Sequence, residues 1–134
     1  MRIIKFRICH EAGGYKSIIY PEDQNKRFFI SLDGMVYENY GTSRVPLWEN
    51  VFYATVFLQQ FTGYQDQIGG DVYEGDILEE DYDDKRTVVR WSKAYSGFQW
   101  CEHELDEDEP TDFYGGISQL EYKTIVGNIF ENEA

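Results

Sequence analysis

Two carboxylates, Glu74 and Asp76, stand one residue apart in the stretch GGDVYEGDILEE, residues 69 to 80. On one strand, residues at i and i+2 share a face, and paired carboxylates so placed suit general acid and base work. No His, nucleophile or activated Ser accompanies them in the sequence, so the checklist of an active site is unmet. Asp76 follows Gly75 directly, and a carboxylate there serves more simply as an acceptor for turn amides.

Other chemistry-bearing residues fall short in similar ways. Cys9-His10 and Cys101-Glu102-His103 supply two Cys and two His, the donor types of tetrahedral zinc. A zinc finger needs a close Cys pair, and adjacent residues on a strand point to opposite faces. The expectation is a buried Cys9, a buried Cys101 and two surface histidines, with no metal and no cofactor. The run Glu79, Glu80, Asp81, Asp83 and Asp84 offers oxygen ligands for a hard cation. It has no internal Gly for the loop turn, and Lys85-Arg86 oppose a cation, so a solvated hairpin tip is the expectation. Residues 104 to 109 read the same way. GGDVYEG lacks the Lys-Ser/Thr ending and the following helix of a phosphate loop. No catalytic residue is assigned.

The elements that must hold these groups are strands. The chain is organised around Leu58 to Glu80, two apolar ends about a Gly-rich polar middle, which predicts that its halves fold back on each other. Ile4, Phe6 and Ile8 alternate with Lys5 and Arg7, predicting an opening strand with one face inward. Tyr15 to Tyr20 predicts a second strand, ended by Pro21. Arg27 to Tyr40 predicts a hairpin, with Asp33-Gly34 as a type I′ turn. Residues 41 to 46 read as a polar loop. Asn50 to Gln60 fits either a helix capped by Asn50 or a buried strand, and its β-branched and aromatic residues favour the strand. Gly63 to Gly70 reads as a turn-rich connection, and Val72 to Glu80 as a strand bent near Gly75. Asp81 to Arg86 reads as a charged turn, with a strand from Thr87 to Trp91 after it. Phe98 to Cys101 and Thr124 to Phe130 complete the strands, and Gly115-Gly116 reads as a bend. The fold class predicted is mostly β: a small single-domain barrel-like or sandwich-like fold of short antiparallel strands with Gly-rich turns, spanning residues 1 to 134.

Composition narrows the partners. The 134 residues carry a formal charge of −13, so a phosphate backbone or an anionic membrane is repelled as a whole. Neither duplex nucleic acid nor membrane is an expected partner. Aromatic residues make up 17%, with 11 Tyr, which suits half-buried strands and surface contact alike. Arg2, Lys5 and Arg7 interrupt the N-terminal apolar residues, and no apolar run has membrane-spanning length. The expectation is a cytoplasmic protein with reduced thiols.

The opening MRIIKFR, QFTGYQD followed by GGDVYEGDIL, then VVRW and the closing IVGNIFEN resemble, in that order, the YopX protein family. The motif residues are Gln60, Phe61, Thr62, Gly63, Tyr73, Glu74, Gly75, Asp76, Ile77, Val126, Gly127, Asn128 and Ile129. The resemblance implies a small β-rich protein of phages, prophages and related mobile elements, located in a bacterial host cell. It implies no agreed catalytic or binding residues. The shared types explain themselves as glycines for turns, apolar residues for core, and Asp and Asn for local backbone hydrogen bonds.

Three function classes follow. The first is a non-enzymatic protein–protein interaction module with a basic partner or a second copy of itself. The second is a small hydrolase or metal-dependent enzyme using Glu74 and Asp76. The third is an acidic mimic of nucleic-acid charge that blocks a DNA-binding protein.

Overall fold

The computed structural model describes residues 3–23, 27–42, 44–51, 54–81, 83–92, 97–102, 113–116 and 122–131. These residues form twelve strands: β1 Phe6–Ala12, β2 Tyr15–Ile19, β3 Phe28–Ile30, β4 Val36–Asn39, β5 Trp48–Asn50, β6 Thr55–Gln65, β7 Asp71–Tyr73, β8 Asp76–Glu80, β9 Asp83–Ser92, β10 Gly97–Glu102, β11 Phe113–Gly116 and β12 Lys123–Asn128. One 3-10 turn, Pro21–Asp23, follows β2. The chain is mostly β, as its period-two runs and glycine punctuation predict. Every strand pairing given by residue register is antiparallel.

Two compact units are distinguished. The inserted unit is Phe6–Gln59; the framing unit is Met1–Lys5 with Gln60–Ala134. In the inserted unit, β2 pairs with β1 from Ile8↔Ile19 to Ala12↔Tyr15, and β3, β4 and β5 form a three-stranded sheet in that order. Its core is Ile8, Phe28, Val36 and Val51, with Ile19, Ile30, Ala54, Val56 and Leu58 packed around them.

The framing unit holds a five-stranded sheet of order β11-β10-β9-β8-β12. Val72, Leu78, Val89, Phe98 and Trp100 form one buried cluster there, and Ile77 with Val88 another. Adjacent residues of β9, Thr87, Val88 and Val89, are all buried, so both faces of this strand are covered. Within the predicted strand Val72 to Glu80, Val72, Tyr73, Ile77 and Leu78 are all buried.

Several local expectations are corrected. The first strand starts at Phe6, and Ile4 is exposed. Arg7, expected to face outward, is 3% exposed. Its Nε donates to Gln59 Oε1 at 2.8 Å and its Nη1 to the Tyr20 hydroxyl at 3.3 Å, the condition for burying a guanidinium. The Asp33-Gly34 hairpin forms, with a different turn. Ser31 N–H donates to the Met35 carbonyl and Gly34 N–H to the Ser31 carbonyl, both at 2.9 Å, leaving a three-residue tip. Gly34 has φ of 84°, as the left-handed position closing such a loop requires.

Asn50 to Gln60 contains no helix among its described residues; β5 ends at Asn50 and β6 begins at Thr55. Residues 63 to 65 belong to β6, with a register shift between Phe61 and Gln65. The predicted fold-back is the β6–β7 pairing, Phe61↔Tyr73 and Gln65↔Asp71. Val72 to Glu80 is two strands. The chain turns at Glu74-Gly75, and β8 pairs with β9 and β12 instead of continuing beside β6. Gly75, with φ of 86°, permits the change. Asp83 already lies in β9, and Gly115-Gly116 ends β11 as strand. Residues 104 to 110 and 132 to 134 lie outside the described residues.

Candidate functional site

The three motif segments meet in the framing unit. Gln60 and Glu74 are tied twice: Glu74 N–H donates to the Gln60 carbonyl, and Gln60 N–H to Glu74 Oε1, both at 2.9 Å. Thr62 donates its hydroxyl to the Val72 carbonyl at 2.7 Å. The Phe61 and Tyr73 rings lie 5.6 Å apart, on residues opposite each other in β6 and β7. Asp76 is buried, and its carboxylate accepts the Tyr73 N–H at 2.8 Å and the Asn128 side-chain amide at 3.4 Å. Asn128 Oδ1 accepts the Phe130 N–H at 2.8 Å, and Ile129 N–H donates to the Gly75 carbonyl at 2.9 Å. Gly127 faces Ile77 in the β12–β8 register, and Ile129 packs on Ile77 and Val88. Val126, the motif residue beside them, is exposed at the register shift between Ile125 and Gly127. Gly63 is exposed at the corresponding shift in β6.

The geometry answers the paired-carboxylate reading. Glu74 lies in the turn and Asp76 opens β8, so they are not neighbours on one strand face. Glu74 accepts the backbone N–H of Gln60 in β6, and Asp76 accepts that of Tyr73 across the turn. Their visible work is to hold backbone where the chain changes sheets, the role the motif composition predicts for Asp and Asn.

Lys5 joins the same junction. Its carbonyl accepts the Phe61 N–H at 2.9 Å, and its Nζ donates to Asp71 Oδ2 at 2.7 Å while lying 4.6 Å from the Phe61 ring centroid. The Lys5 ammonium beside Asp71 is the main reason its carboxyl titrates below the ordinary value; a bond from the Gln65 amide acts in the same direction. Asp33, in the hairpin tip, is lowered chiefly by the hydroxyl of Ser31 and then by the Met35 N–H.

The metal readings gain little geometry. Among the described residues no group of three or more His, Cys, Asp or Glu is placed to hold a metal ion. Cys9 is a buried thiol and His10 is half-buried. His103 lies outside the described residues, as does the side chain of Cys101.

Sequence reasoning missed an organised aromatic surface. In the β3-β4-β5 sheet, Phe28, Val36 and Glu38 are buried, while Phe29, Tyr37 and Trp48 come to the other face. The Phe29 and Tyr37 rings stack at 4.9 Å with an 8° interplanar angle, and Trp48 meets Phe29 edge-on at 4.7 Å and 82°. Phe29 and Trp48 are each 38% exposed. Leu32 at the hairpin tip, with Met35 and Leu47, adds exposed apolar surface to the same unit. The signal was available as alternation, because the hairpin RFFISLDGMVYENY puts an aromatic at the outward position of each strand.

Charge is divided unevenly. Residues 6 to 59 carry five Lys or Arg and six Asp or Glu, which leaves seven of the 12 basic and 19 of the 25 acidic residues to the framing unit. The unit bearing the aromatic surface is therefore nearly neutral.

Comparison with known proteins matches the YopX protein family over residues 15–134, and the chain belongs to that family. The resemblance carried by QFTG, YEGDI and VGNIFEN is thereby borne out. Among solved structures, protein EF1440 from Enterococcus faecalis is similar at a TM-score of 0.56 and 19% identity, over 98% of this chain and 96% of that one. That likeness concerns the fold alone. No curated protein matches. No helix among the described residues is long and apolar enough to cross a membrane.

Proposed function

We propose that this chain is a non-enzymatic protein–protein interaction module of a phage or mobile element, acting in the host cytoplasm on a basic partner. The observation that supports it best is the charge division, 19 acidic against seven basic residues in the framing unit. Such a field raises the encounter rate with cationic surfaces and slows approach to anionic ones. The hydrolase reading has less support, since Glu74 and Asp76 accept backbone N–H groups.

The test is affinity capture from host cells with mass spectrometry, then association kinetics with the captured protein against salt. The expected partner has a basic surface, and its association slows as salt rises. A partner with an acidic surface, or an on-rate indifferent to salt, overturns the reading. The same charge division supports a second reading, a mimic of nucleic-acid charge. Under that reading the captured partner binds DNA, and this chain displaces the DNA in a competition assay.

A further inference from the structure

We infer that Asp33–Gly34 is a covalent modification site, an aspartate primed to become isoaspartate, and that the side chain of Ser31 restrains the conversion in the folded chain.

The sequence contains a single Asp-Gly step and no Asn-Gly step. At an Asp-Gly step the glycine nitrogen attacks the aspartyl Cγ, since no side chain on the glycine hinders the approach. The N–Cγ bond forms, the carboxyl hydroxyl leaves with the amide proton as water, and a succinimide ring results. Solvent water then opens the ring. Opening at one carbonyl returns aspartate. Opening at the other leaves isoaspartate, whose main chain runs through Cβ and Cγ. One water leaves and one enters, so the mass is unchanged and nothing is oxidised or reduced.

Exposure favours this chemistry here. Asp33 and Gly34 are both exposed at the tip of the β3–β4 hairpin. The hydrogen bonds of the tip oppose it. Ser31 Oγ donates to Asp33 Oδ1, and Met35 N–H donates to the same oxygen at 3.3 Å. Donors on that oxygen favour the carboxylate, whereas the carboxyl must be neutral to lose its hydroxyl. The Asp33 carboxyl is accordingly held below its ordinary value, with Ser31 the largest cause. The nucleophile is engaged as well. Gly34 N–H donates to the Ser31 carbonyl at 2.9 Å, which holds the proton that must leave before the nitrogen attacks. Ser31 N–H, donating to the Met35 carbonyl at 2.9 Å, closes the loop and leaves the Asp33–Gly34 peptide little freedom to rotate towards its own side chain. Of the three groups that Ser31 supplies, only the hydroxyl depends on side-chain identity.

Isoaspartate here would lengthen the main chain of the tip and move the carboxylate from the Met35 N–H. The pairing Ile30↔Val36, next along the hairpin, would lose the closure that sets its register.

The experiment ages the full chain in neutral buffer, folded and in urea. Isoaspartate at position 33 is read by peptide mapping and by methyl transfer from S-adenosylmethionine with an isoaspartyl methyltransferase. The wild type should isomerise about fivefold more slowly folded than in urea, the factor that one ordinary hydrogen bond represents. Ser31→Ala should recover about that same factor in the folded chain, and Ser31→Thr, which keeps the hydroxyl, should stay slow. All three should isomerise alike in urea. Far-UV circular dichroism confirms that each variant is folded in buffer, and the wild-type comparison does not depend on any variant. Equal rates for the wild type folded and in urea overturn the restraint. A folded Ser31→Ala chain as slow as wild type, or a Ser31→Thr chain as fast as Ser31→Ala, overturns the role of the hydroxyl.

Discussion

The carboxylate of Asp66 accepts the backbone N–H of Ile125 at 3.0 Å, across 59 residues of sequence. Its other oxygen accepts the N–H groups of Gly70 at 2.7 Å and Ile68 at 3.1 Å, so one buried side chain both closes the 66–70 turn and reaches β12. β12 is the end strand of its sheet, and an end strand presents unpaired backbone groups. Gln67 N–H, donating to the Lys123 carbonyl at 3.1 Å, covers another of them.

Asp66→Ala should therefore destabilise the protein by about 2 kcal/mol, because it leaves the part-buried N–H groups of Gly70 and Ile125 without their acceptor. Asp66→Asn should restore only part of that loss. The amide keeps one oxygen for the turn, but its NH2 group meets the Ile125 N–H donor to donor. Urea unfolding of the two variants checks this; an Asn variant equal to wild type would show that the Ile125 bond contributes nothing.

Asp66 also shows where the sequence stopped being legible. The 66–70 turn could be read from Gly69-Gly70, but nothing local in QDQIGG points to a partner at residue 125. Strand content and the 33–34 hairpin were legible because side-chain alternation and turn chemistry are local. The change of sheet at Gly75 was read as a bend, since a glycine permits either and only pairing with β9 and β12 decides. Arg7 was misplaced for a similar reason. An Arg between apolar residues reads as outward unless its distant partners, Gln59 and Tyr20, are known. The aromatic face hid within a composition already rich in Tyr and Phe, where no single ring stands out.

Ile77→Asp should prevent folding. Ile77 is buried against Val88 and Ile129, and an aspartate there would be an uncompensated charge in an apolar cluster. Asp76→Ala, next to it, should cost about 2 kcal/mol by leaving the buried Tyr73 N–H without its acceptor. Circular dichroism and thermal melting separate the two outcomes. A soluble Ile77→Asp variant with unchanged melting temperature would refute the central placement of β8.

The Lys5–Asp71 pair gives a pH dependence of defined sign. The carboxyl of Asp71 is lowered from its ordinary 3.8 in the folded chain. The pair thus contributes its stability above that value and loses it as pH falls through the folded pKa. Asp71→Asn should melt below wild type near neutral pH, and the gap should close on acidification through the carboxylate range. Both partners are about a third exposed, so the gap is small. Melting curves of both proteins across pH check it. A gap that persists unchanged at the lowest pH would assign the loss to something other than ionisation.

Salt should raise the melting temperature from its low-salt value. With 25 acidic and 12 basic residues, the folded chain concentrates like charges that the unfolded chain spreads apart. Screening at ~0.15 M acts over about 8 Å, enough to weaken repulsion between neighbouring surface carboxylates. Ion pairs that salt also weakens, such as Arg86–Glu79 and Arg27–Glu38, are exposed on at least one side, and exposed pairs contribute little, so their loss is the smaller effect. Because most of the excess sits in residues 1–5 and 60–134, replacing half-buried Glu79 and exposed Asp81 by Gln and Asn should raise stability at low salt and flatten the salt response. Glu79 faces Arg86, so Asp81→Asn alone is the cleaner variant. Calorimetry across sodium chloride concentration decides it: a melting temperature that falls as salt is added would mean that attractive pairs, not repulsion, dominate this surface.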